Sequence, residues 1–116
     1  MKYIEKTARP WGCYYVIHDE KNYKLKRIEV SSKARISYQY HNKRSESWTI
    51  VQGSGIVTIN GKDTNVNTGD TIIIKTKEKH RIYNTGNDNL VFIEVQTGFY
   101  FGEDDIVRID DDYNRE

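Results

Sequence analysis

Apolar and polar residues alternate along most of this chain with a period of two, the spacing that sends side chains to opposite faces of an extended strand. From Tyr23 to Ser31, YKLKRIEVS, the alternation sets Lys24, Lys26, Ile28 and Val30 on one face and Tyr23, Leu25, Arg27 and Glu29 on the other. Both faces are mixed, so the pattern alone does not say which points inward. Glu46 to Gln52 repeats it, with Glu46, Trp48 and Ile50 against Ser47, Thr49 and Val51. Shorter extended runs lie at Tyr14 to Ile17, Ala34 to His41, Ile56 to Ile59, Lys62 to Val66, Thr71 to Lys75, His80 to Asn84 and Leu90 to Val95. Asn60-Gly61 joins two of them, and both residues tolerate the positive φ of a type I′ hairpin turn. The opening Met1 to Glu20 has mixed polarity around the single proline, Pro10. Phe99 to Phe101 is an aromatic cluster expected to pack, and a short helical turn fits only near Gly102 to Val107. Many short strands separated by Gly, Asn and Asp turns imply an all-β sandwich or barrel.

The stretch Gln39 to Gly53 changes the picture, because it concentrates an amide, a histidine and a carboxylate at spacings that suit one metal ion. In an extended segment Gln39 and His41 share a face, and Glu46 opens the next strand. His80, after the TIIIK run and a polar turn, is the candidate fourth ligand. Two oxygens from Gln39 and Glu46 with two imidazole nitrogens from His41 and His80 form a set that zinc, manganese, iron or nickel can occupy. Four protein ligands leave a position open on a five- or six-coordinate metal, which a catalytic metal needs to polarise a substrate oxygen. Arg44 and Arg81 flank these residues, and fixed guanidinium groups are what a bound anion such as a phosphate requires. Lys26 and Arg108 are further candidates for the same anion. Each residue taken singly also has a structural reading: a polar strand end, a hydrogen-bonded histidine, an arginine in an ion pair. Trp48 is expected in the core, and Asn84 to tie a loop through its amide.

The order Gln39-x-His41-x4-Glu46-x6-Gly53, followed by Gly69-x10-His80-x3-Asn84, resembles the two-part cupin signature. Gln39 stands where most cupins have histidine, and Lys75 and Lys77 replace the usual Pro and Gly. QYHNKRSESW is more closely similar to the metal-site motif of the type II mannose-6-phosphate isomerase family, in which Gln also takes the first ligand place. Arg9-Pro10-Trp11-Gly12-Cys13-Tyr14 resembles that family's opening motif and Ile93 to Arg115 its closing one, so the resemblance spans Thr7 to Arg115. It implies a cupin double-stranded β-helix, a jelly-roll barrel forming one domain over residues 1–116. It also implies a metal-dependent isomerase interconverting mannose 6-phosphate and fructose 6-phosphate in mannose metabolism and GDP-mannose supply. Zinc would be the foremost metal, Arg44 and Glu46 would act in catalysis, and the chain would form a homodimer. The family commonly places a histidine directly after the metal-site carboxylate as a possible base; here that residue is Ser47, which cannot serve at neutral pH. The alternative is a non-catalytic, metal-containing cupin that binds a sugar phosphate or another small carbohydrate.

With 116 residues there is room for one core but not for the nucleotidyltransferase part that often precedes this domain in the family, so guanylyl transfer is not expected. Lys and Arg number 18 against 17 Asp and Glu, a formal charge of +1 that gives no general attraction to nucleic acid or membrane. The bias is local, with many Lys and Arg in 21 to 44 and an acidic run in 103 to 112 that reads as a solvated, partly capping tail. One cysteine, Cys13, cannot form an intramolecular disulfide, and no apolar run is long enough to span a bilayer. A cytoplasmic protein is expected, with a small-molecule partner and no nucleic-acid or membrane partner.

Overall fold

The computed structural model describes residues 1–114, so Arg115, the last residue of the closing motif, lies outside the described residues. The strands are β1 (Glu5–Arg9), β2 (Gly12–Asp19), β3 (Tyr23–Val30), β4 (Tyr38–Tyr40), β5 (Arg44–Gln52), β6 (Ser54–Ile59), β7 (Lys62–Asn67), β8 (Thr71–Ile74), β9 (His80–Asn84), β10 (Leu90–Gly98) and β11 (Val107–Asp110). They make a six-stranded sheet in the order β1-β2-β3-β10-β5-β8 and a five-stranded sheet in the order β11-β4-β9-β6-β7. From β8 onward each successive strand joins the other sheet, the connectivity of a double-stranded β-helix, and the all-β expectation is met.

Alternation explains why the sheets close on each other. In β5 every second residue from Arg44 to Ile50 is buried, and β3 from Lys26 to Val30 and β10 from Phe92 to Gln96 follow the same rule. Register then assembles rows across the inner face of the six-stranded sheet. Val30 lies opposite Leu90; Ile28, Phe92 and Ile50 form the next row; Lys26, Glu94 and Trp48 the next; Gln96 and Glu46 the one beyond. One end of the interior is therefore apolar, joined by Val57 and Ile82 of the other sheet, and the opposite end is lined with charged and amide groups. Fully burying each Leu, Ile, Val or Phe of the apolar end contributes about 1.5–3 kcal/mol, which is what can hold the costly polar end in place.

Two backbone features fix this frame. Asn60 and Gly61 both adopt positive φ, 48° and 81°, as the hairpin between β6 and β7 requires. Gly98, at φ 148°, crosses so close to the start of β5 that a Cβ would lie 2.4 Å from the Lys43 carbonyl oxygen. A side chain there would push Arg44, its strand partner, out of place.

Four local expectations are corrected. The opening segment contains β1 and β2 as a hairpin, because Pro10 falls in the turn between them rather than breaking a strand. Ala34 to His41 is extended only over β4, with Arg35 bridged singly to Tyr83. β10 runs on to Gly98, and residues 102–107 form turns leading into β11 rather than a helical turn. The acidic run is a strap rather than a solvated tail: Asp112 grips Arg35, Asp110 grips Arg81, and buried Asp105 accepts from the backbone amides of Asn42 and Lys43. Among the described residues, no helix is long and apolar enough to cross a membrane.

Candidate functional site

Three of the four predicted ligands converge at the polar end of the barrel. Glu46 points inward from β5, His80 opens β9 in the facing sheet, and His41 follows β4. Their ligand atoms lie within 4.8 Å of one another, and all three side chains are buried. His41 Nδ1 is 2.8 Å from the Asp105 carbonyl oxygen, and His80 Nδ1 is 2.8 Å from that of Glu78. A carbonyl oxygen only accepts, so each Nδ1 donates its proton and each ring turns its Nε2 inward. Burial pushes the His41 pKa down to about 4 against the pull of Glu46, and Arg44 and His80 lower it further, so this ring is neutral at pH 7.

Both Nε2 atoms face a carboxylate. His41 Nε2 stands 3.2 Å from Glu46 Oε2, His80 Nε2 3.9 Å from Oε1, and His80 Nε2 has no hydrogen-bond partner. A buried ring nitrogen without a hydrogen-bond partner beside a buried carboxylate is unfavourable, and a divalent cation held by His41, Glu46 and His80 would satisfy it. Each imidazole oriented by a backbone carbonyl is also the support that metal-ligating histidines use. The residues present therefore fit a metal. Gln39 pairs in register with His80 and faces the same cleft; its Oε1 accepts a 2.6 Å hydrogen bond from Ser37.

Arg44 sits against this triad. Its Nε donates to Glu46 Oε2 at 2.8 Å, Nη2 approaches His41 Nε2 at 3.4 Å, and Trp48 Nε1 donates to the other oxygen of Glu46 at 2.9 Å. Burial raises the Glu46 pKa, but His41, Arg44, His80 and the Trp48 hydrogen bond outweigh it and hold the carboxyl well below the usual range.

Glu46 of the triad, with Gln39 beside it, lines a cleft in this end of the barrel. Arg9, Lys26, Arg44 and Arg108 line it together with the carboxylates of Glu46, Glu94 and Glu103 and the apolar faces of Trp11 and Trp48. Lys26 is 3% exposed; its Nζ lies 2.8 Å from Glu103 and 4.1 Å from the centre of the Tyr14 ring. Burial works against its charge, but Glu94 and Glu103 more than compensate and raise its pKa. Glu94 is 4% exposed and, among the described residues, accepts one hydrogen bond, from Gln96 Nε2 at 3.1 Å. Burial, reinforced by the charge of Glu46, pushes its pKa up to about 7 although Lys26 and Arg44 pull it down.

Other predicted residues lie elsewhere. Arg81 points away from His80, as alternation along β9 demands; its Nε donates to the Ile36 carbonyl at 3.1 Å and Nη1 to Asp110 at 3.2 Å, and it does not line the cleft. Ser47 pairs with Val95 and with exposed Ile73, on the outer face of the six-stranded sheet. A side chain at that position, histidine included, is turned away from the cleft. Asn84 ties its loop as expected, donating to the carbonyls of Val30 and Asp88. Glu94, Gln96, Glu103 and Asp105 carry no role in the sequence reading. The first two had a signal: Phe92, Glu94 and Gln96 continue one strand face from apolar to polar, like Ile28 and Lys26 on β3.

Comparison with known proteins agrees with this architecture. Over 110 residues, 95% of the chain, it is 42% identical to a mannose-1-phosphate guanylyltransferase from Salmonella montevideo, and over the same share 40% identical to the xanthan biosynthesis protein XanB of Xanthomonas campestris pv. campestris. The chain spans 23% and 24% of the lengths of these two curated relatives. A Klebsiella pneumoniae protein with a double-stranded β-helix domain superposes with a TM-score of 0.72 at 20% identity, covering 81% of this chain and 80% of that one, a likeness of fold alone. The model of the mannose-6-phosphate isomerase C-terminal domain matches residues 1–111, and the chain belongs to that family.

Proposed function

We propose that this chain is a metal-dependent aldose-ketose isomerase of a hexose 6-phosphate, interconverting mannose 6-phosphate and fructose 6-phosphate. The observation that carries the reading is the convergence of two imidazoles and a carboxylate within 4.8 Å, with that carboxylate lining a cleft that also holds the buried cations Lys26 and Arg44. His41, Glu46 and His80, with Gln39 as a fourth donor, would hold the metal; zinc suits the mixed nitrogen and oxygen set, and manganese, iron or nickel are the other candidates. When bound, such an ion supplies Lewis-acid polarisation of a substrate oxygen.

The chain's own groups account for the rest. Lys26, Arg44 and Arg108 offer positive charge to the phosphate. Glu103, which holds Lys26 at 2.8 Å and lies 3.6 Å from Arg44 Nη1, occupies the place of an anion and yields it when a stronger one arrives. Trp11, Trp48 and Ile106 exclude water from the reacting end of the sugar. The family match and the sugar-phosphate enzymes among the relatives support this substrate class. The test is a coupled assay of metal-loaded protein on mannose 6-phosphate, alongside calorimetry. Turnover that vanishes with chelation is the expected result. Binding without turnover would favour a carbohydrate-binding cupin, and absence of both would remove the sugar-phosphate reading.

A further inference from the structure

We propose that Glu94 is the acid-base group that carries the proton between C2 and C1 of the sugar, an inference that rests on the isomerase reading above. The cleft holds three carboxylates. Glu46 is committed to Arg44, Trp48 and the two histidines, and Glu103 to Lys26. Glu94 forms no ion pair among the described residues and has only the Gln96 hydrogen bond on one oxygen, leaving Oε2 for a substrate. The remaining candidates are unsuited. The Lys26 ammonium is held protonated by Glu94 and Glu103, and the Tyr14 hydroxyl lies 3.4 Å from Arg9 Nη2. Ser47 is outside the barrel.

Position agrees with the role. Glu94 lies opposite Trp48 and one inward position along β10 from Gln96, which itself faces Glu46, so the free carboxylate is set beside the triad on the same wall of the cleft. The charged groups around it are Lys26 from β3, Arg44 and Glu46 from β5 and Glu103 from the β10–β11 connection, with Tyr14 from β2 and Arg108 from β11 lining the same space. Two cations near an unpaired carboxylate keep an enediolate neutralised while the acid form of Glu94 waits to return its proton.

The step balances without an added reagent. In the open-chain aldose, a Glu94 oxygen takes the C2 proton, the C2–H electron pair becomes the C1–C2 double bond, the carbonyl π pair moves to O1, and O1 receives the proton that the O2 hydroxyl gives up. The same carboxylic acid then protonates C1 as the electron pair left on O2 forms the C2 carbonyl. C2 is oxidised and C1 reduced within one molecule. Burial raises the Glu94 pKa above the ordinary carboxylate range, and a carboxylate so placed can both take and return a proton.

The experiment compares wild type, Glu94→Gln and Glu94→Asp, each loaded with metal, in deuterated water. Glu94→Gln preserves shape and is expected to keep metal content and calorimetric binding of mannose 6-phosphate. Its turnover should fall about 10²- to 10⁴-fold, with loss of solvent-deuterium incorporation at C2 of recovered mannose 6-phosphate. Glu94→Asp, a shortened base, should restore part of both. Turnover of Glu94→Gln within about tenfold of wild type would overturn the assignment while leaving the isomerase reading intact. Loss of metal or of sugar binding in that variant would show a structural role and overturn it equally. If wild type binds the sugar but neither exchanges nor isomerises it, the isomerase reading fails and this one with it.

Discussion

Glu46 and Glu94 are both buried carboxylates on the inner face of one sheet, on adjacent strands, yet their surroundings push them in opposite directions. Glu46 has Arg44 at 2.8 Å, an indole donor at 2.9 Å and two imidazoles, and stays ionised. Glu94 accepts a single amide hydrogen bond, sits with its cations further off, and resists ionisation. Burial penalises charge at both; the number of close donors decides which penalty is overcome. A pair of carboxylates driven apart in this way is how one site obtains both a fixed anion and a proton carrier at neutral pH.

The most drastic way to break that contrast is to remove the nitrogen ligands at the Glu46 end. The His41→Ala, His80→Ala double variant should lose its bound metal altogether, while Glu94→Gln keeps one ion per chain by elemental analysis. Stoichiometric metal in the double variant would refute the ligand set.

Stability should separate the two acids by sign. Glu46→Ala leaves the Arg44 guanidinium buried without its partner and should cost about 3–5 kcal/mol in denaturant unfolding of the metal-free protein. Glu94→Gln should stabilise the metal-free protein at neutral pH. The Glu94 carboxyl titrates near 4.5 when unfolded and near 7 when folded, so the folded state binds its proton more tightly and stability falls as pH rises through that window. At about 1.4 kcal/mol per pH unit the gain from the amide is at most on the order of 3 kcal/mol above pH 7, and it disappears below about pH 4.5. Glu46 runs the other way, its contribution present above about 4.5 and lost as the solution is acidified further. Glu94→Gln less stable than wild type at pH 8 would contradict the strained-carboxylate description.

Arg44 links the two ends, so its removal sharpens the comparison less dramatically. Loss of a charge-assisted contact to phosphate costs roughly 1.5–3 kcal/mol, and Arg44→Ala should weaken mannose 6-phosphate binding about tenfold or more at unchanged metal content. Unaltered affinity would assign the phosphate to Lys26 and Arg108 instead.

Alternation announces β3, β5 and β6, because each has one face that must be buried, and Asn60-Gly61 announces the hairpin. The triad is legible for the same reason, with ligand types grouped in sequence at strand ends. β1 and β11 are not, since edge strands bury little and their residues are mixed: β11 reads exposed, half-buried, exposed, exposed. The partners of the acidic strap are invisible locally, because Lys26 meets Glu103 and His41 meets Asp105 across 77 and 64 residues. Arg81 and Ser47 are the instructive failures. Both adjoin site residues in sequence, and on a strand that is the reason they face away from the site.

Ser47 supplies the smallest expected effect and the sharpest check on that geometry. From the motif, a histidine after the metal-site carboxylate looks like a base that this chain lacks. From the register, position 47 lies between Val95 and Ile73 on the outside of the sheet, while Glu46 and Trp48 turn in. Surface substitutions of this kind change stability by about 0.5 kcal/mol or less. Ser47→His should therefore leave turnover, metal content and the pH profile of kcat/KM as in wild type. Bringing a residue at 47 into the cleft would need a one-residue slip of β5, which would expel Glu46, Trp48 and Ile50 together. A large rate gain in Ser47→His would mean that the outer face takes part in the chemistry, and the case for Glu94, which relies on every other proton carrier being spoken for or turned away, would lose its premise.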